Sequence, residues 1–144
     1  MEKLRELYQL AEDDEVKVYC FEMNAAESCA LKSTDGTCYI AIDPMKLTNL
    51  ADEKHKLAHE LGHCETGSFY TRRCPLQTRG RCEWRAEKWA ILRLLPKDML
   101  QSYYRAGYTE PREIAEQSTL PEGFVRTVME YYHEQELAQL SEGM

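Results

Sequence analysis

His59-Glu60-Leu61-Gly62-His63 sets two histidines four residues apart with a glutamate beside the first. On an α-helix, which turns about 100° per residue, positions i and i+4 project from one side, so both imidazoles can reach a single ion. Glu60 lies one step round from His59. That puts its carboxylate beside the ion, where it can take a proton from water without being a ligand. The spacing is the HExxH pattern of zinc hydrolases. Leu50, Leu57 and Leu61 share a stripe roughly opposite the two histidines, so the segment is expected to be a helix with a packing face and a chemical face. Thr48 is its expected N-cap, Asp52 and Glu53 suit the positive end of its dipole, and Gly67 is expected to end it.

A catalytic zinc normally takes three protein ligands and leaves a fourth position for water. Glu83 is the expected third ligand, after a gap long enough for a loop and a returning helix. Glu87 shares a helix face with it and is placed to accept the far N–H of His59 or His63, fixing tautomer and orientation. Trp84, Trp89, Ile91, Leu92 and Leu95 make this helix apolar over much of its circumference, and carboxylates on a buried helix call for a cation partner.

These residues resemble the ImmA/IrrE-type metallopeptidases, small zinc proteins of bacteria and phages. The likeness runs through Leu57-Ala58-His59-Glu60-Leu61-Gly62-His63-Cys64-Glu65-Thr66-Gly67, then Phe69-Tyr70, then Glu83, Ala86, Trp89-Ala90 and Leu94-Leu95-Pro96, covering about residues 54 to 96. It implies a zincin-like fold with His59, His63 and Glu83 as zinc ligands and Glu60 as general base. It also implies a protein substrate, a repressor of the same phage or mobile element. Many relatives carry Asn or Asp where this chain has Glu87, a departure from the pattern. The residues from Ile114-Ala115-Glu116 to Phe124-Val125 look like the helical extension of many members.

With 144 residues, one domain is expected, its core over about 1–96 and a helical extension over about 97–135. A formal charge of −7 disfavours a nonspecific grip on nucleic acid, which needs Lys and Arg against phosphates. The partner is therefore expected to be protein. Met1 to Leu7 are too charged for a secretory apolar segment, and no run is long and apolar enough to span a membrane, so a cytoplasmic protein is expected. Cys20, Cys29, Cys38, Cys64, Cys74 and Cys82 are then read as reduced thiols, Cys64 packing beside the metal helix.

Leu4, Leu7, Tyr8 and Ala11 recur at helical spacing, and an acidic run from Glu12 to Glu15 ends that helix. Val16 to Phe21, Ser28 to Ser33 and Thr37 to Ile42 read as strands, the last two joined at Asp35-Gly36 in a hairpin. The expected fold is α+β: a small three-stranded antiparallel sheet packed with the HExxH helix and further helices. Residues 68–82 read as a loop whose arginines at 72, 73, 79 and 81 form a cationic lip, either guiding substrate or simply solvated. Tyr70 is a candidate donor to the oxyanion formed at a peptide carbonyl, or a packing residue. Thr119-Leu120-Pro121 breaks two helices, and the residues from Glu134 onward are expected to fray. As a DNA-reading pair these helices are poor, since Arg126 is the only Lys or Arg between 113 and 133.

The chemistry implied is zinc-dependent peptide hydrolysis. Two other readings stand beside it: a regulator acting by contact alone, and a structural zinc closed by Cys64, Cys74 or Cys82.

Overall fold

Leu4–Asp13 forms α1, which buries Leu7 and Ala11, one turn apart on one face. Glu15, at φ 58°, turns the chain out of it toward the sheet. The computed structural model describes residues 2–71 and 73–143; Arg72 of the expected lip lies outside them. Contacts divide these residues into two compact units, one from Glu2 to Leu94 and one from Leu95 onward.

In the first unit α1 leads to β1 (Lys17–Cys20), β2 (Ser28–Lys32) and β3 (Cys38–Ile42). The hairpin forms as its sequence requires. Gly36 takes φ 89°, the Ser33 amide donates to Thr37 at 2.9 Å, and the Asp35 carboxylate accepts the Thr37 amide at 2.9 Å. The sheet, however, is mixed rather than antiparallel. Its order is β1-β3-β2, with β2 antiparallel and β1 parallel to β3, Val18 opposite Ile40 and Ala30 opposite Ile40 from the other side. Residues 21–27 are long enough to cross two strand spacings, about 10 Å, and β3 fills the space left between β1 and β2. Alternation along a strand specifies which side chains face the core; it does not specify the neighbouring strand.

Ile40 and Ile42 are fully buried on the sheet face that meets the following helices. Asp43 accepts the amides of Met23 and Met45 and starts a short 3₁₀ turn, Pro44–Lys46. The helix α2 (Leu50–Thr66) follows, capped by Asn49 rather than Thr48: the Asn49 side chain accepts the Asp52 amide at 2.9 Å. Gly67 ends α2 in the left-handed region at φ 68°. Of the expected leucine stripe, Leu57 and Leu61 are buried and Leu50 is exposed, because Leu50 is the first residue of the helix.

Residues 76–82, expected in a loop, belong to α3 (Leu76–Leu94). Gly80 is tolerated inside it, with open space where a side chain would stand. α2 packs chiefly on α3 and touches β2 and α1. The closest approach is at Gly62, where an added Cβ would fall 2.9 Å from the Cα of Ala86 and nearer still to its carbonyl oxygen. α3 is less apolar around its circumference than expected: Ala86, Ala90, Ile91 and Leu94 are buried, but Trp84 and Leu92 are half exposed. Cys38 and Cys64, expected as thiols, are joined in a disulfide that ties the first residue of β3 to the last turn of α2; Cys20, Cys29, Cys74 and Cys82 remain thiols. The two partners are 26 residues apart in sequence, so only the packing of α2 on the sheet brings them together.

The second unit contains α4 (Lys97–Arg105), α5 (Pro111–Ser118) and α6 (Glu122–Glu142). Ile114, Leu120, Phe124, Val125 and Val128 form its buried core where α5 meets α6. Thr119 closes α5 at φ 55°, and the Tyr132 hydroxyl donates to the Leu95 carbonyl at 2.9 Å. α6 continues to Glu142 where fraying was expected, with residues 133–143 exposed. Among the described residues no helix is long and apolar enough to cross a membrane.

Candidate metal centre

The last two turns of α2 carry His59, Glu60 and His63, whose donor atoms lie within 4.8 Å of one another. His59 and His63 stand edge to face, ring centroids 5.0 Å apart. Glu83 reaches them from α3: one carboxylate oxygen is 2.7 Å from Nε2 of His59, the other 3.3 Å from Nε2 of His63. Both imidazoles therefore turn the same nitrogen toward one carboxylate.

Their other nitrogens are occupied. Nδ1 of His63 donates to the Ser68 carbonyl at 2.5 Å, a contact made possible by the left-handed turn at Gly67. A carbonyl only accepts, so Nδ1 of His63 is spoken for as a donor, and Nε2 is the nitrogen that faces Glu83. Nδ1 of His59 likewise faces an acceptor, the Glu87 carboxylate at 3.3 Å, and its Nε2 faces Glu83. Nitrogens and carboxylate oxygens that converge in this way could hold a metal ion.

Glu60 is nearly inaccessible, 6 % exposed, and accepts the Ser28 hydroxyl of β2 at 2.6 Å. Burial holds its pKa above the usual carboxylate range, although that hydrogen bond and the two histidines pull it back. Glu83 moves the other way. Burial opposes ionisation there, but the hydroxyl of Tyr70, donating at 2.7 Å, and the His59 contact outweigh it. Burial likewise opposes ionisation of Glu87, yet His55 and His59 hold its pKa at about 2. Burial disfavours the charged form of His59 too, and its contacts with Glu87, Glu60 and Glu83 nevertheless raise its pKa to about 9. His59 and Glu60 are thus both shifted toward their protonated forms, with which a bound cation would compete.

Tyr70, considered for an oxyanion, donates instead to Glu83, and its own pKa is raised to about 12 by that contact and by burial. Arg79 lies over the Tyr70 ring at 5.9 Å, the one arginine of the expected lip whose contact with the site residues is seen among the described residues. No cysteine joins the donor cluster among the described residues. Cys64 is bonded to Cys38 and the Cys82 thiol faces the Phe69 carbonyl at 3.8 Å, while Cys74 is a free thiol outside the donor cluster.

A cleft of about 340 Å³ opens over Glu60, His63 and Glu83, with Ser28, Cys29 and Ala30 of β2 on one side and Phe69 and Tyr70 on the other. A larger cleft, about 780 Å³, lies beside the disulfide and contains none of the converging nitrogens. Sequence reasoning missed three contributors. Ser28 and Ser68 had no signal, being common residues in a strand and a loop. His55 did have one: it stands four residues before His59, in the same spacing that reveals His63.

No protein-family model matches the chain, and no curated protein is significantly similar to it in sequence.

Proposed function

We propose that the chain is a zinc-dependent endopeptidase acting on a protein substrate. The observation that carries this reading is the convergence of Nε2 of His59, Nε2 of His63 and the Glu83 carboxylate beside a buried glutamate that is not needed as a ligand. Zinc, when bound by His59, His63 and Glu83, supplies Lewis acidity that acidifies water and polarises a peptide carbonyl.

The remaining work falls to side chains. Glu60, with its pKa raised by burial, accepts a proton from the attacking water and delivers it to the amine as the C–N bond breaks. Ser28 orients the Glu60 carboxylate from the sheet. β2 is an edge strand along the cleft, so an extended substrate segment can pair with its outward backbone groups while the scissile bond lies over Glu60. Tyr70 holds Glu83 ionised as a ligand. The likeness to ImmA/IrrE-type metallopeptidases supports the same activity and suggests the substrate class, a transcriptional repressor of a phage or mobile element.

The test pairs wild type with Glu60→Gln, each loaded with zinc and incubated with repressor proteins encoded beside the gene, new N-termini being read by mass spectrometry. We expect one zinc per chain in both proteins and cleavage only by wild type, with at least a hundredfold loss in the variant. Absence of zinc from folded wild type, or equal cleavage by the variant, overturns the reading.

A further inference from the structure

We propose that His55 is a positioning residue for the metal centre: it pins Glu87, which in turn holds the His59 ring with Nε2 toward the metal. The inference rests on the zinc reading above and adds a residue to it. The two ligand histidines are anchored in unequal ways. His63 leans on the Ser68 carbonyl, a backbone group whose place is set by the turn that ends α2. His59 leans on Glu87, a side chain with several rotatable bonds that must itself be held to be an anchor.

His55 does the holding. Its Nε2 lies 2.9 Å from one Glu87 oxygen and 3.1 Å from the other, straddling the carboxylate, while the nearer oxygen also faces Nδ1 of His59 at 3.3 Å. The side chains of His55, Glu87 and His59 are between 20 and 24 % exposed, so the chain of contacts is mostly shielded from competing water. The rings of His55 and His59 stand nearly perpendicular, centroids 6.5 Å apart, leaving room for the carboxylate between their polar edges. Spacing produces this arrangement. His55, His59 and His63 follow at intervals of four along α2, so all three face α3, where Glu83 serves the later pair and Glu87, one turn on, the earlier pair. A metal-bound His59 bears more positive charge, which strengthens its hydrogen bond to an anion kept in place and favours the bound state.

The experiment measures zinc affinity of the full chain by competition with a chromophoric chelator, in wild type, His55→Ala, Glu87→Ala, the double variant and His55→Gln. Glu87→Ala is expected to weaken zinc binding about 10- to 100-fold, and His55→Ala, one contact further out, about 3- to 10-fold. The double variant should match Glu87→Ala within about twofold if His55 acts on the metal through that carboxylate. His55→Gln retains an N–H donor and should recover most of the loss. A readout separate from affinity is the Nδ1 proton of His59 in the zinc-loaded protein, observed by nitrogen-15 NMR. It should exchange with solvent faster in His55→Ala and return toward wild type in His55→Gln, which a merely structural role does not produce. Unchanged affinity in His55→Ala, or losses that multiply in the double variant, overturns this inference and leaves the metallopeptidase reading intact. Failure of wild type to bind zinc overturns both.

Discussion

Between Glu2 and Leu94 the chain buries Asp43, Lys54, Glu60, His63 and Ser68 among its apolar residues, whereas between Leu95 and Gly143 the buried polar side chain is Ser118, bonded to its own helix at the Ile114 carbonyl. Ionisable groups are buried only at a cost, which partners must offset. In the first unit Asp43 is met by the Met23 and Met45 amides, while around Glu60 and His63 polar side chains meet one another: Ser28 with Glu60, Glu83 with two histidines, Glu87 between His55 and His59. The core of the second unit is apolar, built where α5 meets α6 around Ile114, Val125 and Val128. The difference accords with the proposed metal site in the first unit, since polar clusters kept against the preference of their surroundings concentrate at functional sites.

The sharpest way to break that comparison is one core substitution in each unit. Ile114→Ala should cost about 2–5 kcal/mol of stability, from lost burial and the cavity left behind, yet bind zinc as wild type does. Gly62→Ala should cost about 1–3 kcal/mol and also weaken zinc at least tenfold, because its methyl pushes Ala86 and with it the α3 turns bearing Glu83 and Glu87. Urea unfolding and chelator competition on both variants decide the matter. Equal zinc loss in the two would show that the second unit supports the site as much as the first.

The disulfide belongs to the first unit only and should be the next largest effect. Closing a segment of 26 residues stabilises by about 3.5 kcal/mol on chain-entropy grounds. Cys64→Ala should lower the urea midpoint accordingly, and wild type in reductant should follow it. A midpoint insensitive to reductant would mean that Cys38 and Cys64 are not joined in solution.

The smallest expected effect is the pH response, and it sharpens the contrast by its opposite slopes. His59 holds its proton more tightly folded, at about 9, than its ordinary value of 6.5. Its contribution to the stability of the metal-free chain is therefore full below pH 6.5 and is lost as pH rises through 9. Glu60, also raised, acts in the same direction. Zinc needs Nε2 bare, so its affinity should climb over the same interval. Thermal melts of metal-free protein and zinc titrations between pH 6 and 9 should show one falling and the other rising. Parallel slopes would remove His59 from the metal site.

Much of the site was legible because helical spacing is a local property. His59, Glu60 and His63 share a face whatever surrounds them, and Glu83 and Glu87 share one on the returning helix. Their partners were legible only where a spacing linked them, as it does for His55. Ser28 is 32 residues from Glu60, a separation that carries no periodic signal.

The sequence by itself determined what depends on neighbours along the chain. It set the helix that presents two imidazoles together, the hairpin at Asp35-Gly36 where glycine takes positive φ, and the stop at Gly67 for the same reason. Tertiary structure alone decided that β3 lies between β1 and β2, that Cys38 meets Cys64, and that Tyr70 serves Glu83. Local pattern specifies a residue's conformation and the face it occupies. Which distant residue stands opposite is chosen by packing: at Gly62 the absence of a side chain lets α3 come close enough to α2 for their carboxylates and histidines to meet.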